Sequence, residues 1–342
     1  MTIGAKVSLW RSKWLGLGLS LLLLLGAPLT LAPQMGGGAE LVRLRNALLL
    51  HDDLERNFDW APPRVPAGFL KEDGPKDPVF VALVARLGLE KISDDWARAQ
   101  AIAGHLLERN PKVDGALKAD LRSTYLGIIE LRGGYCADFV RVFTAIALAA
   151  GLDVRYWAFS FDGFGGHGHV FPEIWNRQLG QWQLLDVFDN YYFVDGGESP
   201  LSAMQFRQAL LNRSAGLQLR PLHVGARPGY EIESKAWDYF RRGVPEWYLW
   251  WGNNVFSYDR AILVRMFSPL SRALEQFGGI AQGVHPHIRM LPDAGNLPQR
   301  QSIRRLRVHL HAVGVAMFLG FAGLLAVALS AYRSRRHMAA AR

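Results

Sequence analysis

The stretch Gly133-Gly134-Tyr135-Cys136-Ala137-Asp138-Phe139 contains the only cysteine of the 342-residue chain, and the fold can be deduced outward from it. Its two glycines indicate a tight turn, and the apolar spacing that follows predicts an amphipathic helix over residues 136–150, ended by Gly151. A thiol at the first position of a helix lies at the positive end of the helix dipole, which favours the thiolate form. The backbone N–H of Cys136 is an unpaired donor of that helix start, so it could bind an oxyanion. An isolated cysteine is more often a small buried hydrophobe, and only suitable partners argue for a chemical role.

Three aromatic-rich segments after this helix predict strands, over residues 154–161, 169–175 and 182–187. Two segments before it predict further helices. One follows the N-cap candidate Ser93 and ends near Asn110, and the other, of weaker periodicity, covers residues 115–130. Helices followed by an antiparallel sheet predict an α+β domain in which the helix that carries Cys136 packs on the sheet.

The last two predicted strands bring an imidazole and a carboxylate together. His169 begins one strand, and Asp186 lies near the end of the other. If the turn between them centres on Gln178, paired residue numbers sum to about 356, and His169 faces Val187 or, with a one-residue shift, Asp186. Opposed or diagonal side chains on paired strands lie roughly 4.5 to 8 Å apart. The spacing therefore predicts a histidine–carboxylate pair carried by a hairpin.

A thiol, an imidazole and a carboxylate in this order are the components of a nucleophilic triad. We therefore predict that Cys136 is the nucleophile and that His169 is its general base, and later the general acid toward the leaving group. Asp186 is predicted to hold the imidazole ring in place.

Other residues near this constellation have weaker claims. Tyr135 is a candidate for substrate binding or oxyanion stabilisation, although turn packing explains it equally well. His167 could form a His-x-His metal pair with His169, but no third histidine and no second cysteine lies in the same segments. We therefore predict no metal site, and we place His167 on the rim as a candidate substrate-binding residue. Glu173 shares a strand face with His169, where a structural ion pair is at least as good an explanation.

The same residues resemble the transglutaminase-like superfamily. The motifs concerned are Gly-Tyr-Cys-Ala-Asp-Phe, His-Val-Phe-Pro-Glu-Ile-Trp and Gln-Trp-Gln-Leu-Leu-Asp, and the resemblance spans roughly residues 90–195. It implies a papain-like core and a thiol acyl-enzyme mechanism, with Cys136, His169 and Asp186 at the matching positions. Phe171 stands where the family usually has Trp, and Val-Phe follows Asp186 where it often has Pro-Thr. The family includes cross-linkers, proteases, amidases and inactive members, so the resemblance does not select a substrate class.

The basic composition does not indicate a nucleic-acid-binding protein. The net charge is +9, but residues 1–13 and 300–342 carry 11 basic side chains and no acidic one, which leaves residues 14–299 at −2. Cationic side chains beside apolar segments set membrane orientation and contact lipid headgroups. We therefore predict no nucleic-acid partner. The single cysteine excludes an internal disulfide and leaves the redox compartment open.

Two long uncharged segments predict membrane association. Residues 14–32 are either a signal-anchor or a cleavable signal peptide, and residues 310–332 are long enough to cross a bilayer as a helix. Basic residues precede the first segment and none follows it until Arg43, which predicts a cytoplasmic N-terminus, residues 33–307 outside, and a tail that returns inside. Three arginines just before the second segment weaken this charge bias. The expected location is the cytoplasmic (inner) membrane, with the main domain periplasmic.

These features divide the chain into six predicted regions. They are an N-terminal signal-anchor or signal peptide (1–34), a juxtamembrane segment and linker (35–89), a transglutaminase-like catalytic core (90–195), an aromatic-rich extension that packs on the core (196–307), a transmembrane helix (308–333) and a basic cytoplasmic tail (334–342).

The extension is rich in aromatic side chains over residues 237–258, including Trp247, Trp250 and Trp251. Such side chains could bind substrate by stacking on sugar rings, or they could lie among lipid headgroups. An aromatic core that packs on the catalytic domain is an equally good explanation.

The sequence as a whole favours thiol-dependent acyl chemistry outside the cytoplasmic membrane, either amide or ester hydrolysis or acyl transfer to an amine. The expected partners are a peptide, amide or glycan-linked substrate, the lipid bilayer and components of a membrane complex, and no cofactor is expected. The alternative is a catalytically inactive module of the same fold that serves as a scaffold or binding module in a membrane-bound envelope or exopolysaccharide assembly system.

Overall fold

A computed structural model describes residues 14–51, 58–108, 115–117, 120–226 and 228–340. The chain divides into two units, one made of Met1–Leu48 with Gln301–Arg342 and the other of Leu49–Arg300. The basic segment 1–13 and the predicted helix end near Asn110 lie outside the described residues.

The longer helices in the described part of the chain are α1 (Trp14–Gln34), α2 (Gly38–Leu49), α3 (Pro78–Arg86), α4 (Asp95–Leu107), α5 (Leu121–Ile129), α6 (Cys136–Ala149), α7 (Ala203–Asn212), α8 (Glu233–Gly243), α9 (Val255–Arg260), α10 (Ile262–Phe267), α11 (Arg272–Ala281) and α12 (Leu297–Ala340). The described strands are β1 (Val154–Ser160), β2 (Gly168–Asn176), β3 (Gln181–Leu184), β4 (Tyr191–Asp195), β5 (Leu217–Pro221), β6 (Glu246–Trp250) and β7 (Ile288–Met290).

In the first unit, α1 and α12 are apolar and long enough to cross a membrane. They run antiparallel, because Gly16 lies beside Val327 near one end and the Thr30 hydroxyl lies 2.8 Å from the His309 ring near the other. The helices approach closely at Gly320, where a methyl group would come within 2.8 Å of a backbone oxygen of α1. Small residues at such a crossing are typical of helices that pair in a bilayer.

In the second unit, the described strands form a five-stranded antiparallel sheet in the order β3-β2-β1-β6-β7, with β4 and β5 as a separate pair. Helix α6 packs on β1 and β2 through side chains such as Val142 and Ile146, which are fully buried. The prediction of an α+β fold, with this helix on an antiparallel sheet, is thereby confirmed. Strands β6 and β7 come from the predicted extension, so that region completes the sheet.

Two boundaries of helices and strands differ from the sequence predictions. Asp94, and not Ser93, caps α4 by accepting from the Ala97 N–H at 2.7 Å. Strand β3 ends at Leu184, three residues before the predicted end, because Asp186 leaves the ladder and pairs with Tyr191 across a turn. The helix end at Gly151 is as predicted, with the glycine at φ +79°.

Candidate active site

Cys136 is the first residue of α6, and its side chain is partly exposed. The turn before it requires glycine, since Gly134 adopts φ +119°. The Asp138 carboxylate accepts the N–H of Tyr135 at 3.0 Å and so satisfies one of the donors at the helix start. The thiol therefore lies where the unpaired N–H groups and the helix dipole favour negative charge.

His169 and Asp186 form a direct contact in the protein interior. The His169 Nε2 lies 2.7 Å from Asp186 Oδ2, and their side chains are 3 % and 0 % exposed. Because a carboxylate accepts at Nε2, the neutral ring keeps its lone pair on Nδ1, which is the nitrogen left for the thiol.

The route to this contact differs from the predicted hairpin. Paired residues of β2 and β3 match Glu173 with Leu184, a register one residue away from the predicted one, and the ladder stops there. The turn that closes at Tyr191 turns the Asp186 side chain back to the start of β2. The predicted pair is therefore present, but Asp186 reaches it from a turn and not from a strand.

Aromatic rings connect the start of α6 to His169. The Phe139 ring lies 5.4 Å from Phe188, whose ring lies 6.3 Å from His169. Cys136 is near enough for its side chain to be one of the electrostatic influences on the pKa of His169. The described structure thus assembles all three residues of the predicted triad in one region.

Burial and charge act in opposite directions on His169. Complete burial disfavours the imidazolium, but the negative charge of Asp186 and its hydrogen bond to the ring, together with the nearby Tyr239 and Cys136 side chains, outweigh burial, and the pKa of His169 lies well above its usual range. The site therefore stabilises a protonated ring, as a thiolate–imidazolium pair requires.

A second carboxylate, Asp189, lies beside the pair, and the sequence predictions missed it. Its Oδ2 is 3.8 Å from His169 Nε2, and its backbone N–H donates to Asp186 Oδ1 at 3.1 Å. Burial and the adjacent Asp186 raise the pKa of Asp189 to about 7, against the opposing effect of His169. Its spacing of three residues from Asp186, in Asp186-Val-Phe-Asp189, was the available signal.

Tyr239 of α8 forms another wall of the site and was also missed. Its hydroxyl donates to the backbone oxygen of Gly168 at 2.9 Å, and its ring centroid lies 5.9 Å from that of His169. Burial raises the pKa of Tyr239 to about 12, so it remains a neutral donor. The aromatic density of residues 237–258 had suggested that this region matters, but no spacing pointed to Tyr239 in particular.

The remaining candidates occupy different environments. Tyr135 is half exposed beside Cys136, and His167 is exposed, with its ring 3.0 Å from Asp162. The prediction that Trp247, Trp250 and Trp251 bind substrate needs correction, because they are 0 %, 7 % and 2 % exposed. A ring buried on both faces cannot stack on a sugar, so the packing explanation holds for them.

Three side chains of the site, a different set from the His167–His169 pair that we predicted not to bind metal, could act as ligands of a metal ion. Donor atoms of His169, Asp186 and Asp189 lie within 4.8 Å of one another. Two carboxylates and an imidazole could hold a cation. The Nε2–Oδ2 contact is at hydrogen-bonding distance, however, so these side chains already satisfy each other through a proton.

A family model described as the transglutaminase-like superfamily matches residues 84–187. The matched segment includes Cys136, His169 and Asp186, and it stops before Asp189 and Tyr239. No curated protein and no solved structure matches the chain. Together with the helix-on-sheet architecture, the match shows that residues 84–187 form the core of a transglutaminase-like domain.

Proposed function

We propose that this domain performs thiol-dependent acyl chemistry, with Cys136, His169 and Asp186 as its catalytic residues. The observation that carries the proposal is the buried 2.7 Å contact between His169 and Asp186 beside the helix start that bears the thiol. A buried imidazole held by a carboxylate next to a partly exposed thiol is the arrangement that nucleophilic catalysis needs.

The proposed reaction begins with the thiolate of Cys136. It adds to the carbonyl carbon of an amide or ester, and the Cys136 N–H donates to the oxyanion that forms. The His169 imidazolium gives its proton to the departing nitrogen or oxygen as that bond breaks, which leaves a thioester on Cys136. Neutral His169 then takes a proton from water or an amine, whose attack releases the acid or a new amide and restores the thiolate.

The proposed site of action is the outer side of the cytoplasmic membrane. Two antiparallel apolar helices would place both chain ends on one side and the residues between them on the other. The basic residues before the first helix favour a cytoplasmic N-terminus. A reporter active only in the periplasm should therefore be active when fused after residue 300 and inactive when fused after residue 342; the reverse pattern would contradict this orientation.

The reaction is tested by trapping the thioester. The full chain in detergent is mixed with p-nitrophenyl acetate, and its intact mass is measured at short times. We expect one acetyl group on the protein, none on Cys136→Ser, and faster loss of the acetyl group when a primary amine is added if the domain is a transferase. If the folded protein never acquires the acetyl group, the proposal fails and the scaffold alternative takes its place.

A further inference from the structure

Large apolar side chains lie exposed along the helical hairpin formed by α10 and α11. Five of them leave between 43 % and 72 % of their surface accessible: Ile262, Met266, Leu270, Leu274 and Phe277. Ile262 and Met266 of α10 are four residues apart and Leu274 and Phe277 of α11 are three apart, so each helix presents an exposed apolar side, and Leu270 lies in the turn between the helices. A soluble surface seldom exposes such a patch without a partner.

The two helices that carry these exposed side chains pack tightly against each other. A methyl group at Gly278 would come within 2.9 Å of the Leu263 backbone, and one at Gly279 within 2.6 Å of the Tyr258 ring. The Leu263 N–H also donates to Gln282 Oε1 at 2.7 Å. These contacts hold the helices against each other and against α9, so they cannot roll to bury the apolar side.

The charges of the hairpin suit an anionic surface. Glu275 is the only acidic residue between positions 261 and 283, and it is buried, with the Tyr258 hydroxyl donating to its Oε1 at 3.2 Å. Arg265 is exposed between the apolar side chains. Apolar side chains with cationic neighbours are the combination that enters the headgroup layer of an anionic bilayer.

We propose that the apolar side of α10–α11 docks into the headgroup layer of an anionic phospholipid membrane. The chain also carries two helices able to cross a bilayer, and such helices would tether the domain to a membrane. Arg272 of the hairpin lies 3.6 Å from Asp138, whose carboxylate caps the Cys136 helix. Docking would therefore hold the thiol near the membrane surface, where a membrane-borne acyl substrate would meet it.

The test places an environment-sensitive fluorophore on the proposed face. The full chain with Cys136→Ala, which removes the native thiol, receives Phe277→Cys and an NBD label in nanodiscs of phosphatidylcholine with about one third phosphatidylglycerol. Leu179→Cys is the matched control, because Leu179 is 57 % and Phe277 58 % exposed. Leu179 lies in the turn after β2, at the opposite end of that strand from His169.

We expect the label at position 277 to emit at shorter wavelength, to be quenched by lipids with a nitroxide headgroup and to be shielded from aqueous iodide. The label at position 179 should show the reverse. Leu274→Glu, at an exposed position that tolerates the change, should abolish lipid quenching at position 277. Because Cys136 is absent, none of these outcomes depends on catalysis.

Three results would overturn the proposal. The first is equal access of iodide to positions 277 and 179. The second is a blue shift without quenching by nitroxide lipid, which would mean that a second copy or another protein covers the face. The third is lipid quenching at position 277 that persists unchanged with Leu274→Glu.

Discussion

Strand β2 contributes residues to two buried clusters of charged side chains. The clusters differ in whether their groups remain able to exchange a proton. At one end, the Arg155 Nε lies 2.6 Å from Glu173 Oε2, and both side chains are almost fully buried. At the other, the His169 Nε2 lies 2.7 Å from Asp186 Oδ2 and 3.8 Å from Asp189 Oδ2. Both clusters are closed to solvent, so burial alone does not distinguish a structural ion pair from a reactive one.

The two clusters differ in how many of their charged atoms already have hydrogen-bond partners. Glu173 also accepts the Trp157 indole N–H at 3.0 Å and the Ala203 N–H at 2.7 Å, and Arg155 also donates to the Phe58 oxygen. His169 keeps one ring nitrogen for another partner, and Asp189 holds a carboxyl whose pKa is raised to about 7. Saturated charges hold the sheet together, whereas charges that can still exchange a proton can perform chemistry.

Among the substitutions that distinguish the two clusters, Glu173→Ala should cause the largest loss of stability. Removal of one partner leaves Arg155 buried and uncompensated, which costs about 3–5 kcal/mol. We expect the free energy of unfolding of the full chain in detergent, measured with urea, to fall by that amount. Arg241→Ala serves as the control, since Arg241 and Asp238 form an exposed pair, and it should change stability by no more than about 0.5 kcal/mol. A small effect of Glu173→Ala would mean that the two clusters do not differ in this way.

His169→Ala should affect chemistry more than structure. Loss of a positioned general base lowers rates by about 100-fold or more, so formation of the acetyl thioester on Cys136 should slow by at least that factor. His167→Ala is a close control because His167 lies two residues away and its side chain is exposed. Equal rates for the two variants, followed by stopped-flow release of p-nitrophenolate, would remove His169 from the mechanism.

Asp189→Asn should change how stability depends on pH. The pKa of Asp189 in the folded protein, about 7, lies above the ordinary aspartate value of 3.8, so between these pH values the folded state binds a proton that the unfolded state has released. Its contribution to stability is therefore complete below about pH 4 and is lost as the pH rises toward about 7. His169 adds a loss of the same sign at higher pH, because its pKa is also raised.

Between about pH 4 and 7, the free energy of unfolding should therefore fall less steeply in the variant than in the unmodified chain. The two falls should differ by up to a few kcal/mol, since one pKa unit corresponds to about 1.4 kcal/mol. Urea titrations at a series of pH values measure this slope. Asp238→Asn controls for the loss of an exposed carboxylate. Parallel curves for Asp189→Asn and the unmodified chain would show that Asp189 holds no extra proton.

Tyr239→Phe should have the smallest effect. It removes the hydroxyl that donates to the Gly168 oxygen, a bond worth about 0.5–1.5 kcal/mol, and keeps the ring beside His169. Thermal unfolding should detect that loss, and Tyr135→Phe at a half-exposed position should show none. A loss of acylation as severe as that of His169→Ala would instead place the Tyr239 hydroxyl in the chemistry.

The sequence predicted those helices and strands that are marked by the periodicity of neighbouring apolar residues. The apolar periodicity after Cys136 marked α6 to within one residue, and the strand that begins near His169 was placed equally well. These segments have strong periodicity and glycine or turn residues at their ends. The antiparallel sheet and its helix followed from them.

What the sequence could not supply depends on turns and on distant segments. The turn from Asp186 to Tyr191 breaks the strand pattern and brings Asp189 to His169, and no periodicity encodes such a reversal. Tyr239 comes from a helix 70 residues beyond His169 and meets it only through the packing of α8. The tryptophans of β6 were ambiguous because burial and ligand stacking select the same residue type.

Cys136 and His169 are proposed to share a thiolate–imidazolium pair, and alkylation of the thiol across pH probes that pair without a substrate. Because Cys136 is the only cysteine, uptake of iodoacetamide by the full chain reports on that residue alone. The pair predicts that alkylation stays fast at about pH 6, well below the value of about 8.5 at which a free thiol ionises. His169→Ala should slow it sharply at that pH, and Asp186→Asn should slow it less. Slow alkylation at every pH below about 8, with no response to His169→Ala, would show that no such pair forms and leave Cys136 as a residue of the core.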